Sequence, residues 1–494
     1  MALQPDASAH GDAQTPYAPT WASVAEHTPA PEWFQDAKFG IYHHWGAFGV
    51  PAFENEWYPR NMYIPGSAAN RHHIETYGDP LDWPYHSFID GARDRSGRFV
   101  RFAPRPASAG GAFDPQAWAQ LIADAGARFA GPVAEHHDGF SMWDSQANEW
   151  NSAAMGPRLN LLELFANAYR ERGLKLLVAM HHAYHFTGYF DHVPPQPTAT
   201  LRKLYGQLDE AEENRLWLAK LKEVIDLAQP DLLYQDVNLD KLDEPTLLEF
   251  LAYYYNRAAE RGADVVATYK DGFKDGSGVY DYERGGPADL TYPYWLTDDV
   301  LATSTWSHTA DIVYHSLEQI LHSLIDRVSK NGNLLLNISP TADGAVPKEQ
   351  RDLLLGIGDY LRRCGESVYA TRAWTVYGEG PTAMGGGTFT PPVAGTAEDL
   401  RFTRSKDDTI LYATALGWPG AALTATTLAA GRIDLSTLSA VQLIGPSAGQ
   451  YIPLDELRQD ETGLHIALPP TAPFTAPAYA LKLTFSGPIP ALRR

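Results

Sequence analysis

The chain has 494 residues, of which 44% are hydrophobic and 20% charged, and its formal net charge at pH 7 is −21. This composition is typical of a globular protein, and the length favours two domains, one of them large. The charge argues against nucleic acid and anionic membranes as partners, because both are bound through lysine and arginine. The single cysteine, Cys364, cannot form an internal disulfide, and we expect a buried free thiol near a helix end.

The N-terminal thirty residues are rich in Ala, Pro and Thr and contain no apolar run of the roughly 7–15 residues that a signal peptide requires. No later segment approaches a membrane span of about 20 apolar residues. We therefore expect residues 1–30 to be a flexible lead-in. The protein is expected to be either cytoplasmic or an exported form, periplasmic or extracellular, that has lost its leader.

Short apolar runs alternate with amphipathic helical patterns from residue 38 onward, which is typical of successive β/α units. The predicted strands, each ending in a polar residue, are 39–46, 128–137, 174–182, 231–237, 264–270 and 333–339. Segments 161–173, 213–229 and 243–262 are predicted as crossover helices, because their apolar residues follow the helical period and their ends carry capping signals. These elements indicate an irregular (β/α)8 TIM-like barrel, of which two strands are not located, with its site at the C-terminal strand ends.

Two regions differ from this pattern. Residues 51–112, rich in proline, glycine and aromatic residues, are predicted to form an extended loop after the first strand, with a disordered insert as the alternative. Beyond about residue 375 the helical period disappears. Tyr479, Leu481, Leu483 and Phe485 would then share one strand face, which predicts a C-terminal antiparallel β-sandwich. The expected domains are the barrel, 31–374, and the sandwich, 375–494.

Three histidine pairs lie at the ends of predicted strands, at 43–44, 136–137 and 181–182. Adjacent strand residues point to opposite faces, so at most one histidine of each pair could meet a common metal ion. A metal site, a structural role and the binding of sugar hydroxyls are the three interpretations. The third is favoured because neutral imidazole both donates and accepts hydrogen bonds and because aromatic planes can cover apolar sugar faces. The aromatic residues near these strand ends are Trp45, Trp57, Tyr58, Trp143, Trp295 and Trp306.

Carboxylates are the candidates for bond cleavage, since glycoside hydrolysis generally uses two of them. Asp236 ends the predicted strand 231–237 on the same side as Leu232 and Tyr234. Asp231 begins that strand and would lie at the opposite, stabilising end of a barrel. Asp236 is therefore the better candidate nucleophile, and a solvated loop aspartate is the alternative.

Six segments of the chain closely resemble the glycoside hydrolase family 29 α-L-fucosidases, in the order and spacing of that family, over roughly residues 31–375. They are WFQDAKFGIYHHWGAFGVPAFENEWYPRNMY (33–63), EHHDGFSMWDS (135–145), PDLLYQDV (230–237), YDYERGGPADL (280–290), SKNGNLLLNISPTADGAVP (329–347) and GESVYATRAW (365–374). The resemblance implies a retaining double displacement with Asp236 as the nucleophile. It points to Glu283 as the acid/base, with Glu56 as the alternative.

Further residues are expected to bind the substrate. The resemblance implies this role for His44, Glu56, Trp57, His136 and His137, and the expected set is completed by His182, Tyr184, Lys270 and Trp306. The family implies a fucosylated oligosaccharide or glycoconjugate as the partner, and neither a metal nor an organic cofactor. A homo-oligomer is compatible with it. The competing interpretations are a fucose-binding protein without turnover and a metal-dependent hydrolase on the same barrel.

Overall fold

The computed structural model describes residues 16–493. Its helices are α1 (Trp21–Val24), α2 (Glu32–Ala37), α3 (Tyr58–Asn61), α4 (Ala68–Thr76), α5 (Ser87–Asp90), α6 (Pro115–Asp124), α7 (Leu161–Glu171), α8 (Ala199–Leu204), α9 (Glu210–Ala228), α10 (Glu244–Glu260), α11 (Leu317–Ser329) and α12 (Lys348–Cys364). Within this range, no helix is both long enough and apolar enough to cross a membrane.

The strands follow the same chain order. They are β1 (Phe39–His43), β2 (Ala92–Arg93), β3 (Phe99–Val100), β4 (Phe129–Glu135), β5 (Lys175–Met180), β6 (Leu232–Gln235), β7 (Val266–Tyr269), β8 (Val279–Tyr280), β9 (Trp295–Val300), β10 (Gly332–Ile338), β11 (Arg372–Glu379), β12 (Leu400–Arg404), β13 (Ile410–Ala415), β14 (Ala422–Ala425), β15 (Leu438–Ile444), β16 (Tyr451–Pro453), β17 (Leu457–Asp460), β18 (Gly463–Ala467) and β19 (Tyr479–Phe485).

Eight parallel strands form the barrel, in the order β1, β4, β5, β6, β7, β8, β9 and β10 and back to β1. A parallel bridge between Asp281 and Leu296 joins β8 to β9 and closes the ring. Strands β1, β4 and β10 are buried along their whole length, as expected of a parallel sheet that side chains fill on the inside and helices cover on the outside. The predicted barrel is therefore confirmed.

The three predicted crossover helices are confirmed as α7, α9 and α10. Helix α10 begins after Asp243, whose side chain accepts a hydrogen bond from the Thr246 amide at 2.7 Å, which is the expected capping contact. In the described structure the chain passes from β7 to β8 and from β8 to β9 without a helix. These two connections make the barrel irregular, and they bring the loops after β7 and β8 close to the site.

The insertion at 51–112 is not an extended or disordered loop, and that prediction is wrong. It contains α3, α4, α5 and a hairpin of β2 and β3. Its aromatic residues form a packed cluster in which Phe88 contacts the rings of Trp83 and Tyr77 edge-on, at 4.5 and 4.9 Å between ring centroids. These buried rings belong to the same hydrophobic core that packs between the barrel and its helices, so the insertion is fixed to the barrel.

The N-terminal segment is also packed where it is described. The Asn256 side chain on α10 accepts from the Tyr17 amide at 2.9 Å and donates to the Tyr17 carbonyl at 2.7 Å. His27 stacks on Tyr255 of the same helix, with ring centroids 3.8 Å apart. Residues 16–30 are thus held against the barrel, contrary to the predicted flexible lead-in over 1–30. The part of that prediction that covers residues 1–15 lies outside the described residues.

Two antiparallel sheets follow the barrel, one in the order β11-β12-β13-β19-β15-β16 and the other β14-β18-β17. Tyr479, Leu481, Leu483 and Phe485 all contribute to the core between these sheets, as the alternation predicts. Ala480, on the other face of β19, is buried in the barrel-side core. We propose two domains that divide next to β11, since the expected boundary at residue 375 falls inside that strand.

Candidate active site

A cavity of about 340 Å³ opens at the C-terminal ends of the barrel strands. Its lining residues are His44, Asn55, Glu56, Trp57, His136, His137, His181, Asp236, Val237, Lys270, Glu283, Asp298, Ser304, Trp306 and Phe389. A larger cavity of about 560 Å³ lies among the C-terminal sheets, where the ionisable side chains are Glu379 and Glu398. Glu379 already accepts from the amides of Thr426 and Thr427, at 2.7 and 2.6 Å. The barrel cavity is therefore the candidate site.

Asp236 follows β6 and points into the cavity, on the side of Leu232 and Tyr234 that faces the barrel interior, as the alternation predicts. Asp231 lies at the other end of the strand, where it accepts from the Lys175 ammonium at 2.8 Å. This separation agrees with the usual division of a TIM barrel between a chemical end and a stabilising end.

The contacts of Asp236 favour its ionised form. One carboxylate oxygen accepts from Lys270 Nζ at 2.7 Å, and the other lies 3.3 Å from His137 Nε2 and 3.6 Å from His181 Nδ1. Burial alone would raise the pKa of Asp236, but the Lys270 charge and the two histidines outweigh it and hold that pKa well below its usual value. Asp236 is therefore a carboxylate at neutral pH.

Glu283, in the loop after β8, is a second carboxyl that bonds to Lys270. Its Oε2 accepts from Lys270 Nζ at 2.9 Å. Burial, together with the charges of Asp298 and Asp236, raises the pKa of Glu283 to about 7, against the opposing charge of Lys270. Glu283 and Asp236 thus share one ammonium but favour opposite protonation states near neutrality.

A second carboxyl pair, Asp281 and Asp298, lies behind Lys270. The Tyr42 hydroxyl donates to Asp298 Oδ2 at 2.9 Å, and the Tyr234 hydroxyl lies 2.8 Å from both that oxygen and Asp281 Oδ2. Burial and the adjacent Asp298 charge raise the pKa of Asp281 well above its usual value, so Asp281 is protonated. Sequence reasoning missed both aspartates, whose only signals were the DYERG segment and two acidic residues in β9.

Three histidines, one from each predicted pair, meet in the cavity: His44, His136 and His181, with ring centroids 5.1–5.4 Å apart. Burial lowers the pKa of His44 to about 4 and those of the other two well below the usual value, so all three are neutral. The Nδ1 atom of His44 lies 2.8 Å from Asn337 Oδ1, which fixes the ring. Among the described residues, His136 Nδ1 and His181 Nε2 have no hydrogen-bond partner. Neutral imidazoles of this kind suit hydroxyl ligands.

His137 also reaches the cavity. Its Nδ1 lies 2.5 Å from the carbonyl oxygen of His181, which leaves Nε2 directed at Asp236. A register irregularity in β4 between Val133 and Glu135 precedes the pair at 136–137, and both members of this pair line the site. Of the other two pairs, only His44 and His181 line the cavity.

The prediction that His182 binds the substrate is wrong. Its Nε2 donates to the Trp217 carbonyl at 3.1 Å and its ring stacks on the Trp217 indole, so His182 faces α9. His181, which the sequence analysis did not select, takes its place in the cavity. Tyr184 does not line the cavity either, although its ring lies 5.5 Å from that of Trp57 and 5.3 Å from that of His137.

Glu56 joins the insertion to the loop after β9. Its Oε2 accepts from the Trp306 amide at 2.9 Å and from the Thr305 hydroxyl at 3.4 Å. Burial raises the pKa of Glu56, and backbone amides, including that of Trp306, oppose this shift. The Asn337 side chain donates to the Trp306 carbonyl at 2.6 Å, so Trp306 is fixed from both sides.

Two of the six aromatic residues considered in the sequence, Trp57 and Trp306, line the cavity. The other four are core residues that are almost fully buried: Trp45, Tyr58, Trp143 and Trp295. The third aromatic ring at the cavity belongs to Phe389, which lies between β11 and β12 and was not considered.

Within residues 16–493, two groups of side chains have a geometry that could hold a metal ion: His44, His136 and His181, and His137, His181 and Asp236. In the second group the Lys270 ammonium lies 2.7 Å from Asp236 and would repel a cation. The first group offers three neutral imidazoles, a ligand set known from zinc enzymes. The metal interpretation therefore depends on the three cavity histidines alone.

Comparisons with known proteins agree with the motifs. A family profile described as alpha-L-fucosidase matches residues 6–366. Tissue alpha-L-fucosidase of Rattus norvegicus is 28% identical over 501 residues, which cover 98% of this chain and 96% of that protein. Alpha-L-fucosidase of Dictyostelium discoideum is 27% identical over 380 residues, or 73% of this chain and 76% of that one. The crystal structure of Thermotoga maritima alpha-fucosidase in complex with fucose superposes with a TM-score of 0.73 at 26% identity, covering 95% of this chain and all of that one. Because the family profile spans well over half of its length, this chain belongs to the α-L-fucosidase family of glycoside hydrolases.

Proposed function

We propose that this protein hydrolyses terminal α-L-fucosyl linkages of oligosaccharides or glycoconjugates by a retaining double displacement, with Asp236 as nucleophile and Glu283 as acid/base. One observation carries the proposal. The two carboxyls bond to the same Lys270 ammonium at 2.7 and 2.9 Å, so the bonding oxygens are at most about 5.6 Å apart, the sum of the two lengths. Retaining enzymes need a separation of about 5–5.5 Å, which leaves no room for an intervening water.

The protonation states match the two roles. In the first step the Asp236 carboxylate attacks the anomeric carbon, the bond to the leaving oxygen breaks, and Glu283 gives its proton to that oxygen. In the second step the Glu283 carboxylate removes a proton from water, and the water oxygen displaces Asp236 from the anomeric carbon. A pair of carboxyls whose pKa values are pushed apart is the usual signature of such a division of roles.

The remaining lining residues suit a deoxy sugar. Neutral His44 and His136 can exchange hydrogen bonds with hydroxyls, His137 lines the same cavity, and the Trp306 ring can cover an apolar patch such as a methyl group. Glu56 is better suited to positioning Trp306 than to proton transfer, because its Oε2 is already engaged by the Trp306 amide.

The stereochemical course tests the proposal directly. An aryl α-L-fucoside should release α-L-fucose first, before mutarotation, when hydrolysis is followed by proton NMR. Initial appearance of β-L-fucose would contradict the double displacement. Prior incubation with a strong chelator and measurement of bound metal test the competing metal-dependent hydrolase, which requires activity to be lost with the metal. Failure to release any fucose, with retained fucose binding, would favour the fucose-binding alternative.

A further inference from the structure

Phe389 presents an exposed aromatic ring at the mouth of the cavity. The residue belongs to the segment between β11 and β12, far in sequence from the barrel strands, yet it lines the same cavity as Asp236 and Glu283. Its exposed fraction is 65%, which is unusual for a phenylalanine because an exposed ring gains nothing from burial. The ring is therefore available to a ligand.

The backbone around Phe389 is paired with the loop that carries Glu283. The Phe389 amide donates to the Glu283 carbonyl at 2.8 Å. Gly286 and Gly387 exchange two hydrogen bonds of 3.0 Å in an antiparallel bridge. A Cβ at Gly285 would lie 2.0 Å from the Gly387 carbonyl oxygen, so only glycine permits this approach.

Buried charges hold the segment in place. The Lys330 ammonium next to α11 donates to the Met384 carbonyl at 2.8 Å and bonds Asp326 at 2.8 Å. Asp326 also accepts from Arg401 of β12 at 2.6 Å. On the barrel side, Arg327 donates to the Gly285 carbonyl at 2.9 Å. The two paired backbones are thus both fixed to the C-terminal end of α11, and the position of Phe389 is set with that of Glu283.

The backbone of Phe389 also has an uncommon conformation. Its φ is +55°, in the left-handed region, which costs a residue with a side chain roughly 1–2 kcal/mol. Phe389 stands in a turn at 388–389, and burial of its side chain does not offset this cost because the ring is largely exposed. Strained residues of this kind tend to occur where a side chain must be aimed at a ligand.

We propose that Phe389 forms the binding platform for the sugar to which fucose is attached, with the apolar face of that pyranose ring against the phenyl ring. The proposal rests on the assignment of Glu283 as acid/base. Because Glu283 must reach the glycosidic oxygen, the sugar beyond that oxygen lies on the Glu283 side of the cavity. Phe389 adjoins Glu283 there, and the Ser304 side chain lines the same cavity. C–H groups of a pyranose ring fit the negative face of an aromatic ring.

Kinetics on two substrates test the platform. A fucosylated disaccharide places a sugar against Phe389, whereas α-L-fucosyl fluoride has no leaving sugar. We expect Phe389→Ala to lower kcat/KM about tenfold on the disaccharide and to leave the fluoride within about twofold, whereas Phe389→Trp retains both activities. Phe99→Ala removes another exposed phenylalanine, from the β2–β3 hairpin, and should change neither rate.

Two results would overturn the platform: equal losses on both substrates, which indicate that Phe389 only supports the Glu283 loop, or no loss on the disaccharide. Phe389→Gly guards against a folding defect, because glycine adopts the positive φ without strain, and this variant should melt no lower than the unmodified protein. It should also lose activity on the disaccharide while keeping its activity on the fluoride, as Phe389→Ala does.

Binding separates this proposal from the proposed function. Calorimetry in the Asp236→Ala background, with and without Phe389→Ala, compares the affinities for fucose and for the disaccharide and needs no turnover. The platform predicts that Phe389→Ala weakens disaccharide binding about tenfold and leaves fucose binding unchanged. If Phe389→Ala leaves the ratio of disaccharide affinity to fucose affinity unchanged, the platform is refuted even if Glu283 is the acid/base. If Phe389→Ala lowers that ratio, the platform is supported even if the Glu283 variant lacks the expected leaving-group dependence.

Discussion

Replacing Lys270 by methionine should move the pH profile of kcat/KM toward higher pH. The Lys270 ammonium bonds Asp236 at 2.7 Å and Glu283 at 2.9 Å and lowers the pKa of both carboxyls. A hydrogen bond to a charged group contributes about 1.5–3 kcal/mol net. Since 1.36 kcal/mol corresponds to one pKa unit, its loss should raise each pKa by about 1–2 units.

The direction in which the pH profile moves follows from the roles of Asp236 and Glu283. Activity requires Asp236 ionised and Glu283 protonated, so the acid limb of the profile reports Asp236 and the basic limb reports Glu283. Both limbs should therefore move in the same direction. The pKa of Glu283 lies at about 7 in the intact site. The basic limb should move from about 7 to about 8–9 in Lys270→Met.

The assay is the initial rate on a fucosylated disaccharide, whose leaving alcohol needs a proton, across the acid, neutral and alkaline range. Lys270→Arg keeps the charge and should keep the basic limb close to its original position. Lys274→Met is the matched control, because Lys274 is exposed and bonds Glu244 at 3.2 Å outside the cavity. If Lys270→Met melts as a folded protein and its basic limb is unchanged, Lys270 does not set the pKa of Glu283.

Further predictions concern single side chains of the cavity. Asp236→Ala should lower turnover by several orders of magnitude, with partial rescue by azide and β-fucosyl azide as the product seen by NMR; near-normal hydrolysis would remove the assignment. Glu283→Ala should lose activity on natural linkages far more than on an aryl fucoside with an acidic phenol, and azide should yield the α-fucosyl azide. Glu56→Ala should instead weaken both substrates comparably and show no azide rescue; if it shows the leaving-group dependence, the two glutamates exchange roles. His181→Ala should cost about 1–3 kcal/mol in kcat/KM, because it lines the cavity, whereas His182→Ala should mainly lower the melting temperature. The opposite pattern would contradict the orientation of this pair.

The sequence predicted six of the eight barrel strands, because each is an apolar run that ends in a polar residue. The two missing strands lack that signal. Strand β8 has two residues, and β9 contains Thr297, Asp298 and Asp299, which are buried only because distant partners satisfy them. Arg327 of α11, for example, bonds Asp299 at 2.7 Å. Such partners are brought together by the closed barrel and leave no trace in the local pattern.

The sequence alone also could not decide whether His181 or His182 faces the cavity. Leu177 and Ala179 face the barrel interior, whereas Val178 faces the helices, so His181 continues the inner face. Strand β5 is apolar on both faces, because a parallel sheet is covered on both sides, and its sequence therefore lacks the alternation that would reveal which face is which. A shift of one residue exchanges the two histidines. The pairing with β6 decides the matter, and that is a property of the fold.

Asp236 had a clearer signal, since its strand begins after Asp231 and keeps Leu232 and Tyr234 on the inner face. Its protonation state, in contrast, depends on Lys270, which follows the next strand of the barrel. The position of Asp236 at the site end of its strand could thus be predicted from the sequence. Its contact with Lys270 could not, because the two residues meet only in the closed barrel. Phe389 is the extreme case, because nothing in its local sequence connects it with a site whose other residues all lie earlier in the chain.

The four carboxyls around Lys270 raise the question of why Asp236, rather than Asp298, should attack the sugar. Both are buried and both lie within 4 Å of the ammonium, but their surroundings differ. Asp298 lines the cavity as well, but its Oδ2 already accepts from the Tyr42 hydroxyl, and its side chain is 2% exposed against 11% for Asp236. Asp236 contacts Lys270 and two cavity histidines and receives no hydroxyl from the described part of the protein. Its charge is therefore the one that remains open to the substrate. The inner pair acts on it through Lys270, because Asp298 adds to Asp236 in raising the pKa of Lys270, and a neutral amine would no longer lower the pKa of Asp236.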